Sequence, residues 1–372
     1  MDIKQFKIDK QVDAYLKDKK ITTYTAVQEK VIPLLLKDKQ VIVEAPTGTG
    51  KTLAFLIPIL TNLDPNNKNI QALITVPTRE LATQIANVCK EISLFKTDFS
   101  YLLLTGGEDI SIQNKKIKKQ PQIIIGTQER INKVFSFGSF NLTFLKYIVL
   151  DEADMMLDFG FIEELKEFIK RSGINKKIVY SLFSATLPLP LQNFIKKSFG
   201  GEIINISIAK NDENIKINLI KSFDQEKNEQ LFKLLSAPIF NPFFAIIFTR
   251  TNEEAEAVYA FLKTKKIRNL ACFTTTISAR ERSKILKNIS KMNITYLVTS
   301  DVMSRGMDFL GVSHIINYSY PTNLTYYVHR IGRTNRNNIS GQIYDIYTEK
   351  DEKQLKIIME KNKFLTFERL KL

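Results

Sequence analysis

The chain has 372 residues, enough for two domains, and its hydrophobic fraction of 44% and charged fraction of 25% are typical of a soluble globular protein. Lysine and arginine number 54 against 39 aspartates and glutamates, and the net charge of +15 favours a polyanionic partner, with a solvated basic surface as the alternative. Two distant cysteines and two histidines argue against a disulfide scaffold or a zinc site, and no apolar run approaches the roughly 20 residues that span a bilayer.

The amino-terminal segment shows apolar positions at helical spacing. Residues 9–20 fit an exposed amphipathic helix, and residues 27–35 continue the spacing although Pro33 is unusual inside a helix. The first residues lack the long apolar core of a signal peptide. We therefore expect a cytoplasmic monomer that makes no membrane contact.

A glycine-bearing loop follows the predicted strand 41–43 and precedes a helix that opens at Leu53. The loop fits the phosphate-binding pattern, with alanine at the first position: Ala45, Pro46, Thr47, Gly48, Thr49, Gly50, Lys51 and Thr52. Its glycines let backbone N–H groups surround phosphates, Lys51 places a cation on the outer phosphates, and the Thr52 hydroxyl is placed to bind Mg²⁺. The order of strand, loop and helix favours a nucleotide site over a plain glycine-rich turn.

Further short apolar strands follow, and each ends in small or polar residues. They are predicted at 72–76, 101–104, 123–125, 147–150 and 179–183. The segments that follow them are Pro77–Gln84, Gly106–Gly107, Gly126–Thr127, Asp151–Asp154 and Ser184–Thr186. Strands that alternate with helical stretches imply an α/β fold with a doubly wound parallel sheet, whose functional edge is at the carboxyl ends of the strands.

Two adjacent carboxylates, Asp151 and Glu152, come directly after the buried strand 147–150. A phosphate cradle and a carboxylate that holds magnesium are the minimum set of groups for nucleotide hydrolysis. The alternative is an acidic helix start stabilised by the helix dipole. The preceding strand and the phosphate loop argue against that alternative.

The polar segment 209–215 predicts a linker between a first domain, 1–208, and a second domain, 216–372. In the second domain we predict strands at 216–223, 245–249, 296–299, 314–318 and 342–347, and helices at 227–235, 253–262, 280–289 and 351–361. This is a second α/β domain of similar size. We expect the chain to end shortly after the last helix, at 365–372, without an auxiliary domain.

In their order and spacing, these motifs resemble those of the DEAD-box ATP-dependent RNA helicases over nearly the whole chain. The matching segments are Ala45–Thr52, Pro77–Ala82, Gly106–Gly107, Asp151–Asp154, Ser184–Thr186, Ser300–Asp308 and His329–Arg336. The resemblance implies two tandem RecA-like domains, each a parallel sheet flanked by helices and joined by a short linker. It also implies that ATP, Mg²⁺ and RNA are bound in the cleft between them.

The resemblance assigns roles at the ATP site. Asp151 would hold Mg²⁺ and Glu152 would orient or deprotonate the attacking water. Arg333 and Arg336, three residues apart on one helical face or turn, would reach the γ-phosphate from the second domain, so that hydrolysis requires domain closure. Adenosine contacts would come from Phe6, Gln28 and Asp308. The residues that couple ATP to RNA would be Asp154, Ser184, Ala185, Thr186 and His329.

The resemblance also implies a short single strand of RNA, bent so that it cannot stay paired. The residues assigned to RNA are Pro77, Thr78, Arg79, Gly106, Gly107, Thr127, Arg130, Arg282 and Ser300, and Arg305 is a further candidate. Such contacts go to the backbone and read no sequence. Ribosomal or RNA-decay proteins are candidate partners, and the RNA target and pathway stay open.

Several positions depart from the family pattern, mostly at RNA-facing and interdomain sites. They are Tyr24, Gln128, Glu129, Thr274, Thr275, Thr276, Ala279, Ser319 and Asn335. Since the hydrolytic residues are all present, we expect an RNA-dependent ATPase that separates short duplexes or remodels RNA–protein complexes. The alternatives are a DNA helicase of the same superfamily and an ATP-gated RNA clamp with little unwinding.

Overall fold

The structure, a computed structural model, describes residues 6–46, 48–138, 140–158, 160–171, 178–198, 200–208, 215–301, 311–322, 325–334 and 341–371. It divides into two compact units, Met1–Lys210 and Asn211–Leu372. Of the predicted linker 209–215, only Ile215 is described, and it begins a strand. The domain boundaries proposed from the sequence therefore stay a prediction.

The described part of the first unit contains a seven-stranded parallel sheet with the order β3-β4-β2-β5-β6-β1-β7. The strands are β1 (Gln40–Glu44), β2 (Ala72–Val76), β3 (Tyr101–Leu104), β4 (Ile123–Thr127), β5 (Tyr147–Leu150), β6 (Val179–Ser184) and β7 (Ile203–Ser207). Side chains alternate between two apolar clusters, one on each face: Val41 and Val43 lie in one cluster and Ile42 in the other. A sheet buried on both faces explains why its central strands are continuous apolar runs.

Helices cover both faces of this sheet. They are α1 (Lys10–Asp18), α2 (Ala26–Leu36), α3 (Lys51–Asn62), α4 (Arg79–Ile92), α5 (Ile110–Ile117), α6 (Gln128–Phe135), α7 (Ala153–Asp158), α8 (Phe161–Arg171) and α9 (Leu189–Ser198). Pro33 lies inside α2, which continues past it to Leu36. None of the described helices is long and apolar enough to cross a bilayer.

The second unit repeats the architecture, with the strand order β10-β11-β9-β12-β13-β8-β14 and parallel pairing throughout its described residues. The strands are β8 (Ile215–Lys221), β9 (Ala245–Thr249), β10 (Leu270–Phe273), β11 (Tyr296–Ser300), β12 (His314–Asn317), β13 (Gln342–Tyr347) and β14 (Leu365–Arg369). The helices are α10 (Lys227–Ser236), α11 (Asn252–Thr264), α12 (Ala279–Ser290), α13 (Thr325–Ile331) and α14 (Glu352–Lys361), with 3₁₀ turns at Asp224–Glu226 and Glu349–Asp351. Two parallel sheets flanked by helices confirm the predicted fold class of tandem RecA-like domains.

The sequence patterns missed the strands β7, β10 and β14. After the last helix, Leu365–Arg369 forms a strand that was not predicted and that pairs in parallel with β8. These three strands lie at edges of the sheets; β7 and β14 mix apolar with polar residues, and β10 is an apolar run of only four residues. Gly126 and Thr127 also belong to β4 rather than to the loop after it.

Candidate functional site

The phosphate loop connects β1 to α3 at the carboxyl edge of the first sheet. Gly50 precedes α3 in a left-handed conformation (φ +88°), and a Cβ added there would lie 2.5 Å from Nε2 of Gln28. That same Nε2 donates to the Gly50 carbonyl (3.1 Å). Thr49 Oγ1 closes the loop by donating to the Pro46 carbonyl (2.8 Å). The loop therefore requires glycine at this position, both for its backbone conformation and for the close approach of Gln28.

The helix α2 holds Gln28 in place against the loop. Thr25 caps this helix, and Oε1 of Gln28 accepts from the Thr25 N–H (3.0 Å) in a capping box. Phe6 stacks on Tyr24 with ring centroids 5.4 Å apart and packs against the apolar cluster of this unit. Tyr24, where the family pattern has proline, thus supplies an aromatic neighbour for the residue predicted to stack on adenine.

A buried ion pair joins the phosphate loop to the acidic motif. Nζ of Lys51 lies 3.1 Å from Oε1 of Glu152 and donates to the Ala45 carbonyl (3.3 Å), and the two charged side chains are 6% and 5% exposed. Burial alone would lower the pKa of Lys51, but the charges of Glu152 and Asp151 outweigh it and hold this pKa above its usual value. Burial raises the pKa of Asp151 to about 7, with Lys51 acting in the opposite sense. The motif therefore concentrates one cation and two carboxylates out of contact with water.

Glu152 adopts an unusual backbone conformation directly after β5. Its φ is +53°, in the left-handed region, and its N–H donates to Oδ1 of Asp151 (3.0 Å). Its second carboxylate oxygen, Oε2, is buried and has no hydrogen-bond partner among the described residues. A strained residue with an unsatisfied buried oxygen is typical of a functional position, because folding alone does not select for either feature.

The end of the acidic motif is tied to β6. Oγ of Ser184 accepts from the Asp154 N–H (3.1 Å), and Oδ2 of Asp154 accepts from both the N–H (3.1 Å) and the hydroxyl (2.8 Å) of Thr186. Ala185 between them is buried, and Ser184 also accepts the Ala45 N–H through its carbonyl (2.9 Å). This network links the phosphate loop, the acidic motif and the segment after β6, which the sequence analysis assigned to coupling.

Next to the acidic motif, three loops of the first unit present the residues predicted to bind RNA. Thr78 caps α4 and accepts the Leu81 N–H (3.3 Å). Arg79 lies across the glycine pair: a Cβ on Gly106 would be 2.2 Å from its Nη2, and Gly107 has φ +104°. The glycines therefore make room for the guanidinium at the carboxyl edge, where Pro77 directly follows β2.

Arg130 is positioned by residues that the sequence analysis did not single out. Its Nε donates to Oε1 of Gln113 (2.6 Å) and its Nη2 donates to the Glu108 carbonyl. Gln128, which replaces a family proline, is fully buried, and it accepts the Thr75 hydroxyl (3.0 Å). Gln113 and Gln128 are buried, and a buried amide requires partners, but the sequence carries no signal of that burial.

In the second unit, Ser300 ends β11 and donates to Oδ1 of Asn252 (2.6 Å). Arg282 lies on α12 and is half-buried. Arg333 is buried and donates from Nε to the His329 carbonyl (3.2 Å). It lies in the turn after α13, which ends at Ile331, so it is not on a helical face.

The sequence analysis missed Arg330, which lies at the centre of the second unit. Its guanidinium is 2% exposed and makes a bidentate pair with Asp301 (2.5 and 2.7 Å). It also donates to the carbonyls of Ser319 (2.6 Å) and Thr249 (3.2 Å). Arg330 thereby fixes the carboxyl ends of β9, β11 and β12 relative to one another.

Other residues that depart from the family pattern also have hydrogen-bond partners within the second unit. Thr276 donates to Oε1 of Glu256 (2.6 Å) and exchanges a hydrogen bond with Thr274. Ser319 donates to Oε2 of Glu254 (2.5 Å). These substitutions have their own partners, so they do not leave buried polar groups unpaired.

Some predicted residues lie outside the described part of the chain. They are Thr47, Arg305, Asp308, Asn335 and Arg336, together with the side chain of Ala279. Thr52 is half-buried in the first turn of α3, and Thr127 caps α6 at the end of β4.

Comparison with known proteins gives matches in both units. The family model described as DEAD/DEAH box helicase matches residues 25–194, and that of the helicase conserved C-terminal domain matches residues 226–338. The chain is 34% identical over 356 residues to the DEAD-box ATP-dependent RNA helicase CshB of Staphylococcus aureus, covering 95% of this chain and 78% of that protein. It is 35% identical over 339 residues to CshB of Bacillus subtilis, covering 89% and 75%. A solved structure of the DEAD-box helicase Mss116 bound to ssRNA and UDP-BeF matches with a TM-score of 0.88 and 28% identity, over 100% of this chain and 79% of that one.

Proposed function

Because the chain belongs to the DEAD/DEAH box helicase family, we propose that it couples ATP hydrolysis to local separation of short RNA duplexes or to remodelling of RNA–protein complexes. It is an ATP-dependent RNA helicase, and its own residues supply the groups that such an enzyme requires. The observation that carries the proposal is the buried cluster of Lys51, Asp151 and Glu152 at the end of a parallel sheet, next to a phosphate loop.

ATP binding would exchange one partner of Lys51 for another. The ammonium group pairs with Glu152 in the free site, and the outer phosphates of ATP would take its place. Backbone N–H groups around Gly48 and Gly50 would surround the phosphates, helped by the amino end of α3. Gln28 would contact the adenine and Phe6 would stack on it. We expect this exchange of partners to change the free energy little, because one charged hydrogen bond of Lys51 is broken and another is made.

The residues at the site fit a magnesium ion. Hard cations of this kind prefer oxygen ligands, and the site offers the Asp151 carboxylate and the Thr52 hydroxyl. When bound, Mg²⁺ would neutralise charge on the outer phosphates. The unsatisfied Oε2 of Glu152 is a further oxygen that could interact with the hydration shell of such an ion.

Glu152 would orient the attacking water and accept its proton. Once Lys51 turns to the phosphates, both oxygens of Glu152 become available to water. The left-handed backbone at Glu152 keeps its carboxylate beside that of Asp151, so that two adjacent residues perform different tasks. Arg333 and Arg336 would stabilise the transferred phosphoryl group when the two domains close, since a guanidinium stays charged and presents a planar set of donors.

RNA would bind along the carboxyl edges of the sheets. Arg79, Arg130 and Arg282 would contact phosphates, and the glycines at 106 and 107 would let the backbone approach closely. The network from Asp154 to Thr186 would couple the ATP site to this surface, because it joins the acidic motif and the phosphate loop to the segment after β6 at the same edge of the sheet. The protein would act as a monomer in the cytoplasm, and ribosomal or RNA-decay proteins are the partners that we would test first.

The DNA-helicase alternative has no support in the comparisons, since the relatives reported above are RNA helicases. The clamp alternative is decided by experiment. We would bind labelled single-stranded RNA in the presence of a non-hydrolysable ATP analogue, compete it with unlabelled RNA or DNA of the same sequence, and follow release of a strand from a short RNA duplex with ATP. The proposal expects RNA to compete better than DNA and ATP to release the strand. Equal competition by DNA would overturn the RNA assignment, and ATP-dependent binding without strand release would identify a clamp.

A further inference from the structure

Helix α12 (Ala279–Ser290) carries a row of cations that the proposed function does not use. Arg280, Lys284, Lys287 and Lys291 are spaced four, three and four residues apart, which places them on one face of the helix and its carboxyl cap. All four side chains are exposed, and none makes an ion pair within the described part of the chain. We call these four residues the basic stripe.

Some helical lysines elsewhere in the described part of the chain have an acidic partner on their own helix. Lys17 pairs with Asp13 on α1, and Lys133 pairs with Glu129 on α6. Helix α12 has one carboxylate, Glu281, and it faces the helix start: its Oε2 accepts from the N–H (3.2 Å) and the hydroxyl (3.0 Å) of Ser278 in a capping box. The stripe therefore keeps its positive charge uncompensated by its own helix.

Stabilisation of the helix by its dipole explains at most two of the four cations in the stripe. Lys287 and Lys291 lie at the carboxyl end of α12, where the helix dipole stabilises cations. Arg280 lies in the first turn, where the same dipole repels a cation, and Lys284 lies in the middle, where the dipole has little effect. A cation in the first turn is retained against the dipole, which favours a binding role for the row as a whole.

The position of α12 connects the stripe to the proposed RNA surface. Helix α12 follows β10, whose Phe273 pairs with Thr299, and Ser300 comes next at the carboxyl end of β11. Arg282 and Ser300 are the RNA contacts proposed in this unit. Arg280 thus lies at the same carboxyl edge as Ser300, on the opposite side of α12 from the half-buried Arg282, and the stripe extends along the helix away from that edge.

We propose that an RNA strand continues beyond the short segment bound at the strand ends and lies along the basic stripe. The proposal rests on the RNA binding proposed above and adds a second contact region to it. From Arg280 to Lys291 the helix rises by about 16 Å, which is long enough to contact several consecutive phosphates, since one strand of a duplex rises roughly 3.4 Å per nucleotide along its axis. The contact is to phosphates only, so it adds affinity for longer RNA without adding sequence preference.

The test measures how the affinity for RNA of two lengths changes when the lysine charges of the stripe are removed. Lys284→Gln, Lys287→Gln and Lys291→Gln are combined in one variant, because glutamine is a good helix former and the three side chains are exposed. The control variant is Lys356→Gln, Lys361→Gln and Lys363→Gln. These three lysines are also exposed and make no ion pair within the described part of the chain, and they lie between β13 and β14, at the opposite edge of the same sheet. Both variants lose the same charge, and melting temperatures check that both are folded.

The dissociation constant is measured for single-stranded RNA of roughly 6 and roughly 16 nucleotides, with a non-hydrolysable ATP analogue and over a range of salt. We expect wild type and control to bind the longer RNA more tightly, and the stripe variant to lose that gain while binding the shorter RNA as wild type does. With a slope of about 0.7 for each phosphate contact, the salt dependence on longer RNA should fall by about 2, and the affinity by up to about 100-fold at 0.1 M salt. An unchanged affinity for the longer RNA, an equal loss on both lengths, or an equal loss in the control would overturn the proposal. If wild type binds neither RNA, the proposed function itself fails.

Discussion

Replacing Glu152 by glutamine tests the buried pair with Lys51 most sharply. The substitution keeps the size of the side chain but removes the charge that faces Nζ of Lys51 at 3.1 Å, with both groups about 95% buried. A hydrogen bond between charged groups contributes about 1.5–3 kcal/mol. The free enzyme loses this contribution, whereas the ATP-bound enzyme loses less of it because Lys51 then contacts phosphate.

Three results should therefore appear together in Glu152→Gln. The nucleotide-free protein should unfold at a lower temperature, and ATP should bind more tightly by up to about 10- to 150-fold, the limit that corresponds to a full 1.5–3 kcal/mol. ATP turnover should fall by about 10²–10⁴-fold, the usual contribution of a general base. Differential scanning fluorimetry, calorimetric titration with ATP and a phosphate-release assay measure the three quantities.

The matched control is Glu44→Gln. Glu44 ends β1 directly before the phosphate loop and makes no ion pair within the described residues. It should leave all three quantities near their wild-type values. If Glu152→Gln binds ATP no more tightly than wild type and melts at the same temperature, the ion pair does not compete with ATP for Lys51. Wild-type turnover in that variant would refute the catalytic assignment of Glu152.

Three further substitutions test the supporting structure. Gly50→Ala should weaken ATP binding about tenfold in titration calorimetry, since an alanine in the left-handed conformation costs about 1–2 kcal/mol. The control is Gly160→Ala, at a glycine with φ +74° and open space around it. This control introduces the same backbone strain away from the phosphate loop and should leave ATP binding unchanged. Arg330→Lys breaks the bidentate pair with Asp301 and should lower the free energy of unfolding by about 3 kcal/mol; an unchanged urea midpoint would contradict this. Burial raises the pKa of Asp345 to about 6 in the folded protein. The folded state therefore binds this proton more tightly than the unfolded chain does, which stabilises the fold below about pH 4. This stabilisation is lost as the pH rises through about 6. Relative to Asp345→Asn, wild type should therefore lose about 3 kcal/mol of stability over this window in urea titrations, and parallel pH profiles would contradict the assignment.

The catalytic residues of the first unit could be predicted from the sequence, because each stands directly beside a local pattern that marks a loop or the end of a strand. Lys51 follows a glycine loop between a strand and a helix, and Asp151 follows an apolar strand, so that the carboxyl edge of the sheet brings them together. The pairing of Lys51 with Glu152 could not be predicted, because it depends on the strained backbone at Glu152.

The residues that the sequence missed act through contacts between distant segments. Arg330 stands in a run with Arg333 and Arg336, and the pattern alone does not show that Arg330 is paired with Asp301 from another strand end. Edge strand β14 was missed for the same reason, since Leu365–Arg369 becomes a strand by pairing with β8. Burial and pairing across the sheet are long-range properties, and periodicity in a short window does not contain them.

The central claim is that RNA controls ATP hydrolysis at the site built from Lys51, Asp151 and Glu152. The most direct measurement is the steady-state rate of phosphate release from ATP by the wild-type chain, without nucleic acid and with saturating single-stranded RNA or DNA of the same sequence, at several salt concentrations. We expect slow turnover without nucleic acid, strong stimulation by RNA and little stimulation by DNA, with the RNA effect falling as salt rises. Turnover that RNA fails to stimulate at any salt concentration would contradict it.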